Sequence, residues 1–488
     1  MSVSAPAKKL TIKDYKSELH NDWCPGCVRP ETLIVTPAGK RPISEIAVGD
    51  RVLGHDGAYH RVAEVMSHWH PSSLNRVAIA GLGAVELTDD HPVYVARVDP
   101  VASKVRLDWV PAGEVRVGDE IAYACAPGPE KVTQVPVTIG PAESGTRLLS
   151  VGAPAAAATF YVLAKVLAND VVAYEGMVHN LEVEDVHSYV TDAATLHNCG
   201  DFGILTGIQM ALANLALDPD KVAVFSGIGC SGKTPHYISA YGFHTLHGRV
   251  LPVATGGRLV NSGVTVIALG GDGDGYGIGS GYFVNSGRRN VDFAYLVHNN
   301  SVYGLTKGQA SPTLAKGKKT KSMPEQAIQD GINPIAMAVA AGYTFIARAY
   351  ALEPKYLAGI IQRAIQHRGS ALVDVLQTCP TYNDLYTKEW YEGADLAEKK
   401  SRLYKLEDTG YDGKVKDPQD REEIVAKKAA AVARSYEQEP LPIGVYYEIE
   451  LPTYEDAVNQ RIPALAEKPL VELDTFHRDV DPLLEAMR

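Results

Sequence analysis

Two patterns of hydrophobic and polar positions divide the chain. Between residues 27 and 198, short runs alternate apolar and polar residues and are broken by Gly, Pro and Asp. This period of two predicts many short antiparallel strands. After residue 198, continuous apolar runs alternate with helical patterns, which is typical of a parallel sheet covered by helices on both faces. We therefore predict an α/β protein with a parallel sheet and an inserted all-β segment.

The all-β segment contains an internal repeat. Residues 42–52, which end in Val-Gly-Asp-Arg-Val, recur loosely as residues 111–121, which end in Val-Gly-Asp-Glu-Ile. In both copies the Gly-Asp turn lies between two apolar runs. The repeat predicts two related halves folded against each other.

In the α/β part, five apolar runs are predicted to be strands, namely residues 221–225, 264–269, 293–297, 343–347 and 371–376. Polar or glycine-rich loops follow four of them, beginning at Ser226, Gly270, His298 and Gln377. The carboxyl ends of parallel strands meet at one edge of a sheet, where ligands bind. We therefore expect these four loops to surround one site.

Composition and charge narrow the possible functions. The 488 residues are 45% hydrophobic and 22% charged, which predicts an ordinary globular protein of two to four domains. A formal net charge of -11 argues against broad binding to nucleic acid or anionic membranes. Residues 1–20 lack the apolar core of a signal peptide, and no apolar run reaches about 18 residues. We expect a cytoplasmic protein.

Cysteines are few for a chain of this length, and no secretory signal precedes them. Such cysteines are expected to be metal ligands or nucleophiles rather than a disulfide framework. They lie at positions 24, 27, 125, 199, 230 and 379.

One glycine-rich loop forms half of a cofactor motif. Gly271, Asp272 and Gly273 are followed by 25 residues and then by Asn299 and Asn300, which is the spacing of the thiamine-diphosphate motif. Glycines let the backbone approach a diphosphate, and Asp272 and Asn300 offer hard oxygen ligands to a bridging Mg²⁺. Because each half follows a predicted strand, cofactor binding is favoured over an ordinary turn.

Removal of residues 27–198 would reunite a second motif. The joined sequence is Trp-Cys-Pro-Gly-Cys-Gly-Asp-Phe-Gly, in which Gly26 precedes Cys199 directly. Cys24 and Cys199 then form a Cys-x-x-Cys pair just before a helix. We therefore interpret the chain as a precursor that loses 172 of its 488 residues and keeps 316.

Residues at the ends of the segment have the chemistry for such a removal. The Cys27 thiol can attack the preceding carbonyl and convert an amide into a thioester. Cys199 can accept the acyl group, and Asn198 can cyclise through its side-chain amide to cut the second peptide bond. Each step is an acyl transfer that needs an acid, a base and a group that polarises the amide.

The segment resembles the intein (Hint) family. The similar motifs are residues 27–32, Thr88 to Tyr94, Leu181 to Tyr189, and His197-Asn198 followed by Cys199. The resemblance implies that Cys27 starts the reaction, that Thr88 and His91 destabilise the amide before it, and that His187 and His197 assist cyclisation of Asn198. At 172 residues the segment has no room for a homing endonuclease, so a mini-intein is expected.

One position departs from the intein pattern. The family often has Asp where this chain has Asn180. An amide can form hydrogen bonds but cannot relay a proton at neutral pH, so a slower transfer to the second nucleophile is expected.

Four cysteines outside the segment could hold a metal centre. Their spacing suits tetrahedral zinc or an iron–sulfur cluster equally well. The surrounding sequence is similar to the β subunit of 2-oxoacid:ferredoxin oxidoreductases up to about residue 385. The similar stretches are residues 23–26 joined to 199–203, and 227–231, 241–249, 288–290 and 303–313.

This resemblance implies oxidative decarboxylation of a 2-oxoacid with coenzyme A, with 2-oxoglutarate or pyruvate as substrate. A [4Fe–4S] cluster on Cys24, Cys199, Cys230 and Cys379 would pass electrons to ferredoxin. Mg²⁺ would be held by Asp272, Asn300 and the backbone oxygen of Val302, with further cofactor or substrate contacts from His244, His247, Thr306 and Lys307. An α subunit would supply the module that meets the pyrimidine end of the cofactor.

The predicted organisation has four segments: residues 1–26, the intein 27–198, the cofactor-binding domain 199–385 and a C-terminal extension 386–488. In the extension, residues 417–438 predict a charged helix and residues 440–442 a break. Two alternatives remain open at this stage. One is a thiamine-diphosphate decarboxylase without redox function whose four cysteines bind structural zinc, and the other is a non-catalytic remnant that carries an active intein.

Overall fold

The computed structural model describes residues 10–17, 27–98, 105–125, 146–151, 159–184, 186, 188–197, 199–320, 322–393, 396, 398, 400–473 and 485. Cys24, His187 and Asn198 lie outside these residues, as does the side chain of His197. Within the described ranges, no helix has the length and apolar character needed to cross a membrane.

The described residues between 27 and 197 form the all-β part, as the alternating pattern predicts. Its strands are β1 Leu33–Thr36, β2 Gly39–Pro42, β3 Arg51–Leu53, β4 Tyr59–Ile79, β5 Gly83–Leu87, β6 Pro92–Val98, β7 Val105–Pro111, β8 Glu120–Ala124, β9 Thr146–Val151, β10 Thr159–Val183, β11 Ser188–Val190 and β12 Thr195–His197. Short helical turns cover Ile43–Glu45 and Ala112–Glu114.

Two long strands organise the all-β part. β4 and β10 pair antiparallel along most of their length, and the main sheet runs in the order β11-β12-β6-β8-β10-β4-β3. Around this frame β5 pairs with β4, β7 with β6, and β9 with β10. All these pairings are antiparallel, and the segment encloses a core of its own.

The internal repeat is built the same way twice. The carboxylates of Asp50 and Asp119 each accept an amide N–H three residues earlier, at 3.0 Å in both cases. Gly49 and Gly118 have positive φ angles of 99° and 95° and each donates its N–H to a carbonyl of a long strand at 2.9 Å. Glycine permits this turn without steric cost.

The α/β part begins with the turn Ile12–Tyr15 and resumes after residue 198. Its strands are β13 Val222–Ser226, β14 Tyr241–His244, β15 Thr265–Gly271, β16 Phe293–Asn299, β17 Val302–Tyr303, β18 Gln309–Ala310, β19 Phe345–Tyr350, β20 Ser370–Leu376, β21 Leu403–Lys405 and β22 Leu441–Glu448. Its helices are α1 Asp201–Leu215, α2 Val250–Val260, α3 Ser280–Arg289, α4 Pro334–Ala341, α5 Pro354–Gln366, α6 Lys388–Tyr391, α7 Arg421–Ser435, α8 Tyr454–Arg461 and α9 Ala464–Glu467. Shorter helical turns are Pro219–Lys221, Ser231–Tyr237, Gly273–Ile278, Leu406–Thr409 and Leu470–Glu472.

The eight-stranded sheet runs in the order β14-β13-β15-β16-β20-β19-β22-β21. Its central strands are parallel, so the predicted fold class is confirmed. α1 and α5 cover one face, and α2, α3, α4 and α7 cover the other. Burial on both faces explains why the central strands are continuously apolar.

The C-terminal residues complete this sheet. β22 starts at Leu441 and pairs antiparallel with β19, although residues 440–442 predict a break. Pro442 is tolerated because it lies near the beginning of the strand, where its missing N–H removes little of the ladder. The predicted charged helix is present as α7, residues Arg421–Ser435.

The host residues on either side of the all-β part pack together in the uncut chain. Tyr15 is fully buried, and its hydroxyl donates to the carbonyl of Leu212 in α1 at 3.1 Å. The backbone N–H of Ser239 donates to the Tyr15 carbonyl at 2.8 Å. The all-β segment therefore interrupts a single α/β unit rather than joining two.

Candidate functional sites

The carboxyl ends of β13, β15, β16 and β20 converge on a cavity of about 140 Å³. All four loops predicted to surround a site contribute to its lining, which comprises Ile228, Gly229, Cys230, Ser231, His247, Gly271, Asp272, Gly273, Asp274, His298, Asn300, Val302, Tyr303, Gly304, Leu305, Thr306 and Gln377. Glycine and polar side chains form much of this lining, which suits a phosphate-bearing ligand.

Asp272 is a buried carboxylate surrounded by neutral donors. Its Oδ2 accepts hydrogen bonds from the backbone N–H of Ser301 at 3.2 Å and from the hydroxyls of Ser311 and Thr313. Burial raises the pKa of Asp272 to about 6, although these hydroxyls lower it in part. Asp374 raises the pKa further. A divalent cation would stabilise the ionised form of such a carboxylate.

Asn300 lies next to Asp272, in the loop that follows β16. Its Oδ1 accepts the backbone N–H of Val302 at 3.1 Å, and its Nδ2 donates to Oε1 of Gln377 at 3.0 Å. The preceding Asn299 points elsewhere, because its Nδ2 donates to Asp374 at 3.0 Å. Of the two predicted asparagines, only Asn300 lines the cavity.

The glycines of the loop after β15 leave the cavity open. A Cβ at Gly273 would lie 2.1 Å from Cε1 of Tyr303, whereas a Cβ at Gly271 would meet nothing closer than 3.6 Å. Helical structure starts directly after Asp272 and continues into α3. The free N–H groups of a helix N-terminus favour anions, so a diphosphate fits here.

The four weaker candidates lie in different places. His247 and Thr306 line the cavity, and Nδ1 of His247 is 3.1 Å from Oδ1 of Asp274. His244 lies on the exposed edge strand β14, where its Nδ1 is 2.9 Å from the carbonyl of Gly232. Lys307 lines a separate cavity of about 250 Å³ between the α/β and all-β parts.

Lys307 faces the all-β segment in the uncut chain. The opposite wall of its cavity is acidic and is formed by Asp89, Asp90 and Glu114. Asp89 and Asp90 belong to the predicted intein motif that begins at Thr88. The candidate substrate-binding lysine is exposed but faces the inserted segment across this cavity.

Three of the four candidate cluster ligands fall within the described residues. Cys199 and Cys379 are buried, and Cys230 is half-buried and lines the cofactor cavity. Burial raises the pKa of the Cys199 thiol well above its usual value, and Asp201, Cys379 and Cys230 raise it further. The three thiols interact electrostatically, yet nowhere in the described chain do three metal-binding side chains form a ligand group.

A polar chain that sequence analysis missed connects Cys199 to the cofactor cavity. Nε2 of Gln377 donates to the Cys199 sulfur at 3.4 Å, while Oε1 of the same residue holds Asn300. The Cys199 thiol donates to Asp201 at 3.3 Å, and Asp201 is 2.6 Å from Nδ1 of His298. Gln377 and His298 follow predicted strands, which was their only signal in the sequence.

At the start of the all-β part, Cys27 is held by the loop that carries Thr88. The backbone N–H of Cys27 donates to Oγ1 of Thr88 at 2.8 Å, and the N–H of Thr88 donates to the Cys27 carbonyl at 2.9 Å. The Thr88 hydroxyl donates to Asp90 at 3.0 Å. Burial raises the pKa of the Cys27 thiol far above its usual value, and Asp90 adds to the effect.

His91 is completely buried beside the backbone of Cys27. Burial lowers its pKa to about 4, although the Cys27 backbone and Asp90 raise it in part. The imidazole is therefore neutral at physiological pH and has one nitrogen able to accept a proton. Its ring packs edge-on against Tyr189 at 6.3 Å between centroids.

The C-terminal end of the segment reaches the same region. In the β11–β12 pair, Ser188 is the register partner of His197, and Leu196 pairs with Val93 just beyond His91. His187 and Asn198 lie outside the described residues. Asn180 is buried, and its Oδ1 accepts the Tyr189 hydroxyl at 2.7 Å.

The fold and the cavity define a thiamine-diphosphate-binding domain, and comparison with known proteins agrees. The family model "Thiamine pyrophosphate enzyme, C-terminal TPP binding domain" matches residues 226–375. A second family model, which describes the C-terminal part of the pyruvate ferredoxin oxidoreductase beta chain, matches residues 379–461. Both matches lie after residue 198.

A close relative shows the family to which the chain belongs. A 2-oxoacid:ferredoxin oxidoreductase subunit beta from Saccharolobus solfataricus is 53% identical over 276 residues, which cover 56% of this chain and 87% of that protein. The chain belongs to the family of 2-oxoacid:ferredoxin oxidoreductase β subunits. Because the family consists of β subunits, an α-subunit partner is implied.

A solved structure gives the same fold. It is 2-oxoglutarate:ferredoxin oxidoreductase from Magnetococcus marinus with 2-oxoglutarate, coenzyme A and succinyl-CoA bound, 31% identical at a TM-score of 0.50. The match covers 59% of this chain and 90% of that chain. The bacterial intein-like domain from Clostridium thermocellum is also matched, over 36% of this chain and 100% of that chain, with 21% identity and a TM-score of 0.25.

The substitution Gly273→Ala should weaken cofactor binding in the excised, rejoined protein. A methyl group 2.1 Å from the Tyr303 ring would push that ring into the cavity. Overpacking of this kind costs about 1–3 kcal/mol, so thiamine diphosphate should bind about 5- to 150-fold more weakly in titration calorimetry with Mg²⁺. Gly281→Ala is the matched control, because a Cβ there meets nothing within 4 Å. Equal affinity in both variants would contradict the proposed site.

Burial of neutral His91 should make the all-β part less stable in acid. Since the pKa of His91 falls to about 4 on folding, the unfolded chain binds the extra proton between pH ~6.5 and pH ~4. The free energy of unfolding should therefore be highest above pH ~6.5. It should fall by up to about 3 kcal/mol as the pH falls through this window. Urea unfolding of an excision-blocked chain (Cys27→Ala, Asn198→Ala) measures it, and adding His91→Gln should flatten the pH dependence. Parallel curves would show that His91 is not buried as a neutral ring.

Proposed function

We propose that the rejoined host chain is the β subunit of an enzyme that oxidatively decarboxylates a 2-oxoacid with coenzyme A, giving acyl-CoA and CO₂. The observation that carries this proposal is that buried Asp272 and Asn300 line one cavity at the carboxyl ends of the adjacent parallel strands β15 and β16. The Magnetococcus marinus relative contains 2-oxoglutarate and succinyl-CoA, which favours 2-oxoglutarate as the substrate.

The cavity fits thiamine diphosphate and its magnesium ion. Asp272, Asn300 and the backbone oxygen of Val302 would hold Mg²⁺, and the backbone of Gly271 and Gly273 would face the diphosphate. When bound, the cofactor supplies an electron sink for the substrate as CO₂ leaves. The chain's own contribution is to hold the Asp272 carboxylate in place through Ser301, Ser311 and Thr313.

The proposed [4Fe–4S] ligands are Cys24, Cys199, Cys230 and Cys379, with ferredoxin as electron acceptor. In the described part of the uncut chain these thiols do not form a metal-binding group. Excision would place Cys24 and Cys199 three positions apart, the spacing in which two thiolates can bind one cluster. We therefore assign cluster binding to the rejoined protein.

We further propose that residues 27–198 excise themselves by acyl transfer. The Cys27 sulfur attacks the Gly26 carbonyl carbon, and the Gly26–Cys27 amide is replaced by a thioester. The Cys199 sulfur then takes over the acyl group and frees Cys27. The side-chain nitrogen of Asn198 attacks its own carbonyl carbon, which breaks the bond to Cys199, and an S-to-N shift forms the Gly26–Cys199 peptide.

The contacts around Cys27 support the first step. Thr88 accepts the N–H of the amide that must be broken, at 2.8 Å, and buried neutral His91 lies beside the Cys27 backbone. As the Cys27 thiol adds to the carbonyl, its proton can pass through the neutral His91 imidazole to the amide nitrogen, which then leaves as an amine. His187 and His197 are the proposed assistants of Asn198, and Tyr15 already holds the two host pieces together.

The substitution Asn198→Ala should keep the chain intact at the second junction. Cys24 and Cys199 then remain separated by the segment, and Lys307 still faces the acidic residues of the segment. The variant, purified anaerobically with its α subunit, should contain no [4Fe–4S] cluster and reduce no ferredoxin, whereas the wild-type product should be brown and should bleach with dithionite. Iron content, intact mass and thiamine-diphosphate binding are measured together. An active, uncut Asn198→Ala protein would refute the dependence of activity on excision.

A further inference from the structure

A carboxylate of the α/β part reaches a buried histidine of the all-β part. His55 is 6% exposed, and its Nε2 lies 3.5 Å from Oε1 of Glu389. Glu389 belongs to α6, which follows the cofactor-binding loops in the chain. Neither residue belongs to the excision motifs or to the cofactor cavity.

The other side of His55 is bound to Ser188. Nδ1 of His55 is 2.7 Å from Oγ of Ser188, and the backbone N–H of His55 donates to the same oxygen at 3.1 Å. The Glu389 contact is a charge contact rather than a hydrogen bond, and the carboxylate favours the hydrogen on Nε2, the nitrogen that faces it. Nδ1 must then accept the Ser188 hydroxyl proton. Glu389 thereby sets the tautomer that completes this pair of hydrogen bonds.

Aromatic side chains enclose the His55 ring. Tyr94 and Trp109 meet it edge-on, with ring centroids 5.9 and 5.7 Å away, and stack on each other at 4.3 Å. The Tyr161 hydroxyl donates to the His55 carbonyl at 2.8 Å. In such an apolar pocket a hydrogen bond is stronger than in water, and a lost partner costs more.

Ser188 connects this pocket to the second splice junction. It is the first residue of β11 and the register partner of His197, the residue before Asn198. The next residue, Tyr189, packs against His91 and donates to Asn180. A shift of β11 would therefore move groups proposed for both junctions.

The position of Glu389 depends on folding of the α/β part. Arg402 donates from its side chain to the carbonyl of Trp390 at 2.7 Å and from its backbone to that of Tyr391 at 2.8 Å. The Tyr391 ring packs on Tyr350 of β19 with centroids 4.8 Å apart. Glu389 can reach His55 only when α6 rests on this sheet.

We infer that Glu389 is a positioning residue for excision: it holds His55, and through Ser188 it holds the β11–β12 pair that leads to the second splice junction. This inference rests on the proposed self-excision and adds a host residue to it. Excision is thereby coupled to folding of the α/β part, so that the segment leaves after the host sheet has formed around it.

Glu389→Ala in the full-length chain should slow loss of the precursor about 10-fold, as expected when a buried polar contact to a carboxylate is lost. Glu389→Gln keeps an acceptor oxygen and should stay within about threefold of wild type. Glu392→Ala is the matched control, because Glu392 is exposed and forms its ion pair with Lys388 of α6, at 3.5 Å, rather than with the all-β part. Precursor and products are followed over time by intact-mass spectrometry.

A double-mutant cycle shows whether the effect passes through His55. Glu389→Ala should slow a His55→Ala chain no further, because the shared interaction is already absent. An additive effect, or wild-type excision by Glu389→Ala, would overturn the inference. Excision absent from the wild-type chain would instead overturn the proposed excision itself.

The imidazole tautomer is measured without relying on the Glu389 variants. In the excision-blocked chain (Cys27→Ala, Asn198→Ala), ¹⁵N spectra should show His55 with its hydrogen on Nε2. A hydrogen on Nδ1 would mean that Glu389 does not set the tautomer, and it would overturn the inference even if Glu389→Ala fails to fold.

Discussion

Tyr15 on one side of the inserted segment packs against α1 on the other side. Its buried ring and its hydrogen bond to Leu212 keep the two host pieces in contact although 172 residues separate them. Both ends of the segment must therefore be near the α/β core. The parallel sheet and the cofactor cavity can form around the insert, and rejoining the host pieces needs no second folding step.

Cys199 has one proposed role in the uncut chain, as a nucleophile, and another in the rejoined chain, as a cluster ligand. In the uncut chain Cys199 is a neutral buried thiol bound to Asp201 and Gln377, and Lys307 faces the acidic loop of the insert. The polar chain through Gln377 and Asn300 ties Cys199 to the cofactor cavity. Cys199, the proposed acceptor nucleophile in excision, thus lies beside the cofactor cavity. After excision the same sulfur is proposed to bind the cluster.

Sequence analysis predicted the elements that follow from local patterns. The five central strands and the alternating segment are each encoded by their own hydrophobic periodicity, so they were predictable. β14 was missed because all four of its residues are exposed, which leaves no apolar face to detect. β22 was missed because Pro442 marks a break in most contexts, and only pairing with β19 and β21 makes it a strand.

The site residues also divide into those that a local sequence pattern predicts and those that only tertiary folding brings together. Asp272 and Asn300 were found because a fixed spacing follows two strand ends, but Ser311 and Thr313 reach Asp272 through tertiary folding that no local pattern encodes. Likewise Glu389 meets His55 only across the boundary between the two parts. Lys307 was assigned to the cofactor site from its motif, whereas in the uncut chain it lines the cavity beneath the insert.

The central claim is that the chain removes its own middle and rejoins its ends. Mass spectrometry of the wild-type chain after expression tests this most directly. The account predicts a 316-residue product with a new Gly26–Cys199 peptide bond and a free 172-residue segment. A single stable species of 488 residues that still binds a [4Fe–4S] cluster would contradict it.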